Sequence, residues 1–367
     1  MGLINKLLYV LLGISLIFGF STTLVAISNT SHSYYVSSSP IIITSDSDFA
    51  LYNFPGTGTV DDPYIIENFN ITGAGDCGIY ISAVSAYFVI RNCIVDGFDE
   101  AITLSAVLTP LVIIDDNYLS AKVYGINSAE SIYTTLYAFR NVIKSGFCGI
   151  SIADEKVLAI VNNTITGGTN GIILSSIETG LILNNTIDVS QWGVSVNIEV
   201  TNTEICWNTI TGFSEVAFGI AEESNENVVI HHNTAILKQS DGTFESLAMQ
   251  VPSNNKIYWY DNNTKEGNYW SDWTGSGTYP VVDPYGNVVN EDLYPLANPP
   301  VPTNKFPGIP TPPYETTSTS TSSETSSNQA SATNTSQFTN PLAINTIGIL
   351  LSVVFLGVTL SLIKNKK

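Results

Sequence analysis

Basic residues are scarce in this chain. Only 13 of its 367 residues are Lys or Arg, against 32 Asp or Glu, and the formal net charge is −19. Arginine occurs twice, as Arg91 and Arg140. Proteins that recognise nucleic acids neutralise phosphates with clustered Lys and Arg side chains. We therefore predict no nucleic-acid partner and an acidic, soluble surface.

Ligands for soft metal ions are also few. The histidines are His32, His231 and His232, and the only methionine besides Met1 is Met249. Copper sites use imidazole or sulfur ligands. Adjacent residues of a strand point to opposite faces, so this alternation predicts that His231 and His232 do not bind one ion together. On this basis we predict no metal centre and no other cofactor.

Sustained 3.6-residue periodicity is absent, which excludes a helical or leucine-rich repeat. The chain instead repeats the pattern Asn-x-Ile, a turn, and Gly-Ile-x-Ile, with short β-branched stretches whose apolar residues alternate. The asparagines recur at spacings of 22–25 residues: Asn92, Asn117, Asn141, Asn163, Asn185, Asn208 and Asn233. This period predicts a solenoid of short parallel strands, with about eight coils between residues 64 and 250.

The repeated asparagines are predicted to be structural. Apolar residues stand two positions before and two positions after most of them, for example Phe139 and Ile143 around Asn141. Alternation places all three on the same inward side, where stacked amides hydrogen-bond one another and the turn backbone. Asp115 breaks this pattern before Asn117, and both a regular register and a one-residue bulge are left open there.

The four cysteines are Cys77, Cys93, Cys148 and Cys206. Cys77 and Cys148 each precede a Gly-Ile pair three coils apart, about 14 Å at about 4.8 Å per coil. A disulfide cannot span that distance. We predict free thiols that act as small buried side chains.

Both ends of the chain carry targeting signals. Lys6 precedes an apolar run from Leu7 to Ile27, with small residues near a cleavage position, which predicts a signal peptide. An uncleaved anchor is the alternative, because the run is long. Residues 342–363 are 22 uncharged residues followed by lysines, long enough to cross a bilayer of about 30 Å. The lysines predict a cytoplasmic C-terminus and an extracellular body, and hence a single-pass membrane protein.

These signals and the shifts in composition predict the order of segments. The segments are a signal peptide (1–28), an N-terminal cap (29–63), the repeats (64–250), an aromatic C-terminal cap (251–298), a Pro-rich then Ser/Thr-rich disordered stalk (299–340), a transmembrane helix (341–363) and a cytoplasmic tail (364–367).

Motifs at both ends of the repeat resemble a known family. The N-terminal one is Asp62-Pro63-Tyr64-Ile65-Ile66-Glu67-Asn68, and the C-terminal ones are Gly267-Asn268-Tyr269-Trp270-Ser271-Asp272-Trp273 with Tyr294-Pro295-Leu296. With the Asn-x-Ile repeats, they resemble NosD-like proteins of the pectin-lyase-like superfamily, whose surface-anchored versions are common in archaea. The resemblance implies an all-β, right-handed parallel β-helix over residues 40–298. The family name refers to copper.

The superfamily also contains polysaccharide hydrolases and lyases, which raises an enzymatic alternative. Hydrolysis needs carboxylates that converge across coils. Asp96, Asp115 and Asp116 are the candidates, but the Gly-His-Gly and Arg-x-Lys signatures of polygalacturonases are absent. The sequence also predicts a structural role for charged residues here, in which Arg91, Asp116 and Arg140 point outward on three consecutive coils as a ladder of opposite charges.

Glycan binding without catalysis is the other interpretation. Tyr124, Tyr133, Trp192 and Trp207 could stack on sugars from the flat sides of a β-helix. Sequons predict glycosylation at Asn29, Asn70, Asn162, Asn184, Asn262 and Asn334. The sequence thus favours a membrane-anchored extracellular ectodomain for glycan binding, adhesion or cell-envelope organisation, with a carbohydrate-active enzyme as the alternative. It identifies no partner protein.

Overall fold

The computed structural model describes residues 35–131, 134–238 and 247–301. The chain divides into two units, Met1–Tyr34 and Tyr35–Lys367, and all the described residues lie in the second. The predicted signal peptide, most of the stalk, the membrane helix and the tail lie outside the described residues. Among the residues that are described, no helix is long and apolar enough to cross a membrane.

The described chain consists of short strands and one 3₁₀ helix, η1. The first half contains β1 (Val36–Ser37), β2 (Ile41–Ile43), η1 (Asp46–Tyr52), β3 (Tyr64–Glu67), β4 (Phe69–Thr72), β5 (Cys77–Ser82), β6 (Phe88–Arg91), β7 (Ile94–Ser105), β8 (Leu111–Asp115), β9 (Tyr118–Ala129), β10 (Thr135–Phe139), β11 (Val142–Lys144) and β12 (Cys148–Val161).

The second half completes the same architecture. It contains β13 (Thr164–Thr166), β14 (Asn170–Leu183), β15 (Thr186–Asp188), β16 (Trp192–Val196), β17 (Thr201–Cys206), β18 (Thr209–Thr211), β19 (Val216–Ile220), β20 (Glu226–His231), β21 (Thr234–Ile236), β22 (Ala248–Gln250), β23 (Ile257–Tyr258), β24 (Tyr269–Trp270), β25 (Tyr279–Val282) and β26 (Val288–Asp292).

Strands one turn apart pair in parallel and stack into three columns. Sheet A precedes each repeated asparagine and includes β6, β8, β10, the second half of β12 and of β14, β17 and β20. Sheet B follows the asparagine and includes β11, β13, β15, β18 and β21. Sheet C carries the Gly-Ile pattern and includes β5, the first half of β14, β16 and β19. The predicted all-β parallel solenoid is therefore confirmed, with about seven turns rather than about eight coils.

One continuous apolar core fills the space between the three sheets. The inward positions of sheet B show how regular it is: Val95, Leu119, Ile143, Ile165, Ile187, Ile210 and Ala235 are all fully buried. Aromatic rings close both ends of this core. Phe49 of η1 stacks on Tyr64 at the first turns, with ring centroids 4.5 Å apart, and Trp270 stacks on Tyr279 at the last, also at 4.5 Å.

A ladder of asparagines links the turns at the corner between sheets A and B. It is formed by Asn117, Asn141, Asn163, Asn185, Asn208, Asn233 and Asn268, all buried. Each Oδ1 accepts from the backbone N–H and from Nδ2 of the preceding member, at 2.9–3.1 Å. Each Nδ2 also donates to a main-chain carbonyl one turn earlier, such as that of Ala138 for Asn163. The buried amides thus have partners for both donor and acceptor.

Asn92 is a correction to the predicted ladder. Cys93 occupies this position, and its backbone N–H donates to Asn117 Oδ1 at 2.9 Å. Asn92 stands one residue earlier, in the left-handed conformation with φ 48°, and its Nδ2 donates to Asn68 Oδ1. Asn68 has the same conformation in the turn before. The Asn-x-Ile motif at Asn92 therefore begins one residue before the ladder position in the structure.

A left-handed residue precedes each ladder position from Asn117 to Asn233 and also corrects the predicted inward face of sheet A. Asp116, Arg140, Asn162, Asn184, Trp207 and His232 all have φ between 51° and 60°. This conformation interrupts the alternation, so the residue two before the asparagine faces outward. Phe139, Val161, Leu183 and Cys206 accordingly form an apolar cluster separate from the core.

Asp115 belongs to the same outward row and needs no bulge. It pairs in register with Arg91 and Phe139, and its Oδ2 accepts from Arg140 Nη2 at 2.6 Å. Arg91 binds Glu67 at 2.7 Å. The predicted charge ladder of Arg91, Asp116 and Arg140 is therefore wrong in its middle member, because Asp115 rather than Asp116 pairs with Arg140, and Arg91 pairs with Glu67.

All four cysteines are free thiols. Cys93, Cys148 and Cys206 are buried and Cys77 is partly buried. Burial raises the pKa of the Cys77 thiol to about 12 and that of Cys93 to about 11. Such thiols carry little thiolate at neutral pH and are correspondingly unreactive.

The ladder gives a direct mutational test. Asn163→Ala removes the acceptor of Asn141 and leaves buried N–H groups without a partner, which costs about 1–3 kcal/mol for each group. We expect the free energy of unfolding to fall by about 3 kcal/mol or more in urea titrations. Asn162→Gly, at the exposed neighbouring residue with φ 59°, is the matched control and should change it by less than about 1 kcal/mol. Equal effects of the two substitutions would contradict a stabilising ladder.

Glu155 gives a second test because it is a carboxyl group inside the core. It is 2% exposed on β12, and its Oε1 accepts from Ser128 Oγ at 2.8 Å. Burial is the main cause that raises its pKa to about 9, well above the ordinary value of 4.5. The folded state therefore holds a proton that the unfolded state releases, and stability should fall as pH rises from about 4.5 to about 9.

We expect Glu155→Gln to remove this pH dependence and to raise the melting temperature most at pH 8–9. Calorimetry at pH 5, 7 and 9 measures it, with Glu199→Gln at an exposed corner residue as the control. If the melting temperatures of the wild type and of Glu155→Gln fall by the same amount between pH 5 and 9, Glu155 is not buried as a neutral acid.

Candidate metal centre

The outer face of sheet A carries a cluster of metal-ligating side chains near the C-terminal end. Glu204 and Cys206 are two residues apart on β17 and therefore point to the same side. His231 on β20 pairs in register with Cys206, one turn later. The ligand atoms of these three side chains all lie within 4.8 Å of one another.

The separations inside the cluster are short. Glu204 Oε1 lies 2.9 Å from His231 Nε2 and 3.6 Å from Cys206 Sγ. Donors of one tetrahedral ion, with bonds of about 2.0–2.3 Å, are about 3.3–3.8 Å apart. The Cys206–Glu204 separation already lies in this range, and the Glu204 carboxylate and the His231 ring would move apart by a few tenths of an ångström around a bound ion.

His232 extends the cluster on the side away from Glu204. Its Nδ1 is 2.5 Å from His231 Nδ1, and its Nε2 is 2.7 Å from Glu266 Oε2. The sequence prediction that His231 and His232 point apart is wrong, because His232 adopts φ 53° and does not continue the strand. The left-handed bend turns both rings to one side of the sheet.

The surroundings hold the two rings in place and put several carboxylates beside them. Trp207, in the same left-handed position one turn earlier, stacks on His232 with ring centroids 4.5 Å apart. Both histidines are buried, whereas Glu266 is exposed. Three carboxylates, Glu204, Asp261 and Glu266, therefore face the histidine pair or lie close to it.

The protonation of Glu204 and Cys206 follows from these contacts. The hydrogen bond from His231 is the largest cause that lowers the pKa of Glu204, against its partial burial. Burial, followed by the charge of Glu204, raises the pKa of the Cys206 thiol far above its usual range. A cation beside both groups would stabilise the thiolate and offset the repulsion between the negative charges.

The cluster offers one nitrogen, one sulfur and one oxygen donor on a rigid sheet. Thiolate and imidazole suit copper and zinc, and three protein ligands leave a position open for water or an exchanging ligand. The sequence prediction did not include Glu204, Cys206 and Glu266. Cys206 and His231 are 25 residues apart, which equals the spacing of the repeated asparagines Asn208 and Asn233. Aligning these two repeats with each other would have placed Cys206 and His231 side by side.

The predicted catalytic aspartates do not form a comparable site. Asp96 lies in sheet B, where it pairs with Thr72 and Ser120. Asp115 is buried in sheet A with its Oδ2 bound to Arg140. Asp116 occupies the left-handed bend. The structure puts these residues on two different sheets.

The predicted sugar-stacking residues are also dispersed. Tyr124 is buried, and Trp192 donates through Nε1 to Glu215 at 2.8 Å. Trp207 lies in the histidine cluster, and Tyr133 lies outside the described residues. Of the predicted glycosylation sites, Asn70, Asn162, Asn184 and Asn262 are on the outside of the coils, and Asn29 and Asn334 are not described.

Comparison with known proteins supports the fold. Residues 112–275, less than half of the chain, match the model of a family described as periplasmic copper-binding protein (NosD). This segment contains Glu204, Cys206, His231, His232 and Glu266. No curated protein and no solved structure matches the chain. The family match over residues 112–275 and the stacked parallel strands together support a NosD-like parallel β-helix.

Proposed function

We propose that this protein binds a transition-metal ion outside the cytoplasm, through Glu204, Cys206 and His231 on the outer face of its β-helix. The observation that carries the proposal is the convergence of these three donors within 4.8 Å across two neighbouring turns. Copper is the first ion to test, because the description of the matched family names it.

The chemistry of the donors fits copper. Copper prefers thiolate and imidazole ligands. Hard cations such as magnesium and calcium take oxygen ligands instead. The thiol of Cys206 must lose its proton to bind, and so affinity should increase with pH. A monovalent or divalent cation would also reduce the local excess of carboxylates contributed by Glu204, Asp261 and Glu266.

Within the described residues, the surroundings of Cys77 differ from those of Cys206 because they contain no imidazole. Cys77 Sγ donates to Thr103 Oγ1 at 3.2 Å, and the Thr103 hydroxyl donates to Glu100. The ring nitrogens of the described histidines are all in the other cluster. The Cys77 cluster therefore has a local hydrogen-bond partner for its thiol and lacks the imidazole that copper favours.

The location outside the cytoplasm is part of the proposal. It is supported by the predicted signal peptide at 1–28, by the predicted membrane helix at 341–363 with its lysine-rich end, and by the family description as periplasmic. A single membrane anchor would hold the β-helix close to the cell surface on the predicted stalk.

Glycan binding, adhesion or envelope organisation stays a prediction from the sequence. One observation favours a sugar site, although not at the residues predicted for it. Tyr258 and Tyr260 line a groove of about 460 Å³ at the C-terminal cap, with Asn290 and Glu291 on its wall. Tyrosine faces beside amide and carboxylate groups suit sugars. A glycan array would test this, and the enzymatic alternative has no comparable group of residues in its support.

The metal proposal is tested by binding measurements on the purified ectodomain. We expect one copper ion per chain, measured by elemental analysis after anaerobic loading with Cu(I) and removal of excess metal. Cys206→Ser and His231→Gln should each weaken binding by about 100-fold, because each removes one of three donors. Cys148→Ser, at a buried thiol in sheet C, is the matched control and should bind like the wild type.

Bound metal should also raise the melting temperature, because the three donors are brought together only in the folded chain. A wild-type protein that retains no copper, or a Cys206→Ser variant that retains it with unchanged affinity, would contradict the proposal.

A further inference from the structure

A continuous row of hydrogen bonds connects the metal donors to the protein surface. It runs from Glu204 to His231, from His231 to His232, and from His232 to Glu266, over distances of 2.9, 2.5 and 2.7 Å. Its first member is a proposed metal ligand and its last is an exposed carboxylate that stands just before the C-terminal cap strand β24. His232 and Glu266 do not belong to the three-donor group, so their role needs a separate account.

The direction of the hydrogen bonds follows from the metal. An ion on His231 Nε2 requires that this nitrogen carry no proton, and a neutral imidazole then carries its proton on Nδ1. His231 Nδ1–H points at His232 Nδ1, which must therefore accept. His232 then carries its own proton on Nε2, and that N–H donates to the Glu266 carboxylate. In this arrangement each of the four ring nitrogens has one partner, and each ring carries one proton.

The opposite direction is incompatible with metal on His231. If His232 Nδ1 carried the proton, His231 Nδ1 would accept it, and the His231 proton would sit on Nε2 beside Glu204. Nε2 could then not bind an ion. With an ion bound, Glu204 is a ligand and accepts no proton from His231. Glu266 is then the carboxylate at the end of the row, and it favours the first direction because an ionised carboxylate accepts hydrogen bonds and cannot donate one.

The rings are fixed as well as oriented. Trp207 stacks on the His232 ring at an interplanar angle of 19°, and the left-handed backbone at His232 holds the ring beside His231. The two imidazole planes meet at 79°, which aims one Nδ1 at the other. Metal-binding histidines usually donate their second N–H to a carboxylate or a carbonyl, and such partners set affinity.

We propose that His232 and Glu266 are positioning residues that select the Nδ1–H tautomer of His231 and leave its Nε2 available to metal. This inference rests on the proposed function and adds residues that touch no metal. Loss of such partners typically weakens metal affinity by about 10–100-fold. Metal affinity in this protein then depends on a carboxylate in the C-terminal cap.

Two substitutions test the proposal on the intact ectodomain. Glu266→Gln replaces the obligate acceptor by an amide that can donate to His232 Nε2 and favour the wrong direction. His232→Asn places at this left-handed position the residue found there at Asn162 and Asn184 in earlier turns, so the fold should tolerate it. We expect both variants to bind one Cu(I) with about 10–100-fold lower affinity, in competition with a chelator.

The matched control is Glu215→Gln. Glu215 also accepts a hydrogen bond from a ring N–H, that of Trp192, but on the outside of sheet C. This variant should bind copper with wild-type affinity. Glu266→Asp keeps an acceptor and should recover part of the affinity that Glu266→Gln loses.

A spectroscopic measurement separates positioning from general damage to the fold. In the zinc-loaded wild type, ¹⁵N NMR should show the proton of His231 on Nδ1, and in Glu266→Gln this signal should weaken or shift. Wild-type affinity in both Glu266→Gln and His232→Asn would overturn the relay while leaving the metal site intact. A His231 proton on Nε2 in the loaded protein would overturn both the relay and coordination through Nε2. A wild-type protein that binds neither copper nor zinc would overturn the site and the relay together.

Discussion

The stacked amides at the corner between sheets A and B determine the register of this solenoid. Each ladder asparagine makes three hydrogen bonds to the turn before it. Asn163, for example, accepts from the backbone N–H and Nδ2 of Asn141 and donates to the carbonyl of Ala138. A slip of one residue would leave these groups buried without partners, which costs far more than the small differences in strand pairing. The ladder ends at Asn268, whose N–H donates to the buried Asp292 of β26. The last strand of the cap therefore closes the same hydrogen-bonded column.

The bend before the ladder asparagines determines which side chains lie on the outer face of sheet A. A left-handed residue at this point brings its own side chain and the residue before it to one side. The chain uses the same place for different chemistry along its length. It holds an ion pair between Asp115 and Arg140 in the early turns, apolar contacts between Phe139, Val161 and Leu183 in the middle, and the histidine pair near the end.

The solenoid could be predicted because its signal is periodic. Spacings of 22–25 residues and alternating β-branched stretches fix the strands, the turns and six of the seven ladder positions between Asn92 and Asn233. Two of the failures share one cause. Strict alternation does not continue through the bend, so it wrongly predicts Phe139 in the core and His231 and His232 on opposite faces. Asn92 fails for another reason, because its Asn-x-Ile sequence is shifted by one residue and Cys93 holds the ladder position.

The backbone conformation at the bend was the missing information. Asn162, Asn184 and His232 are of residue types that adopt positive φ more often than most, whereas Arg140 and Trp207 are not typical of it. Glu266 could not be placed at all from the pattern, because it lies in the cap, 34 residues from its partner His232 and outside the repeat period.

The central claim is that stacking of turns assembles a metal site from residues one repeat apart. X-ray absorption and anomalous diffraction on crystals of the copper-loaded or zinc-loaded protein test it most directly. The account predicts one ion at about 2.0–2.1 Å from His231 Nε2 and about 2.3 Å from Cys206 Sγ, with a Glu204 oxygen in the same shell. An ion bound elsewhere on the chain, or a coordination shell without sulfur, would contradict it.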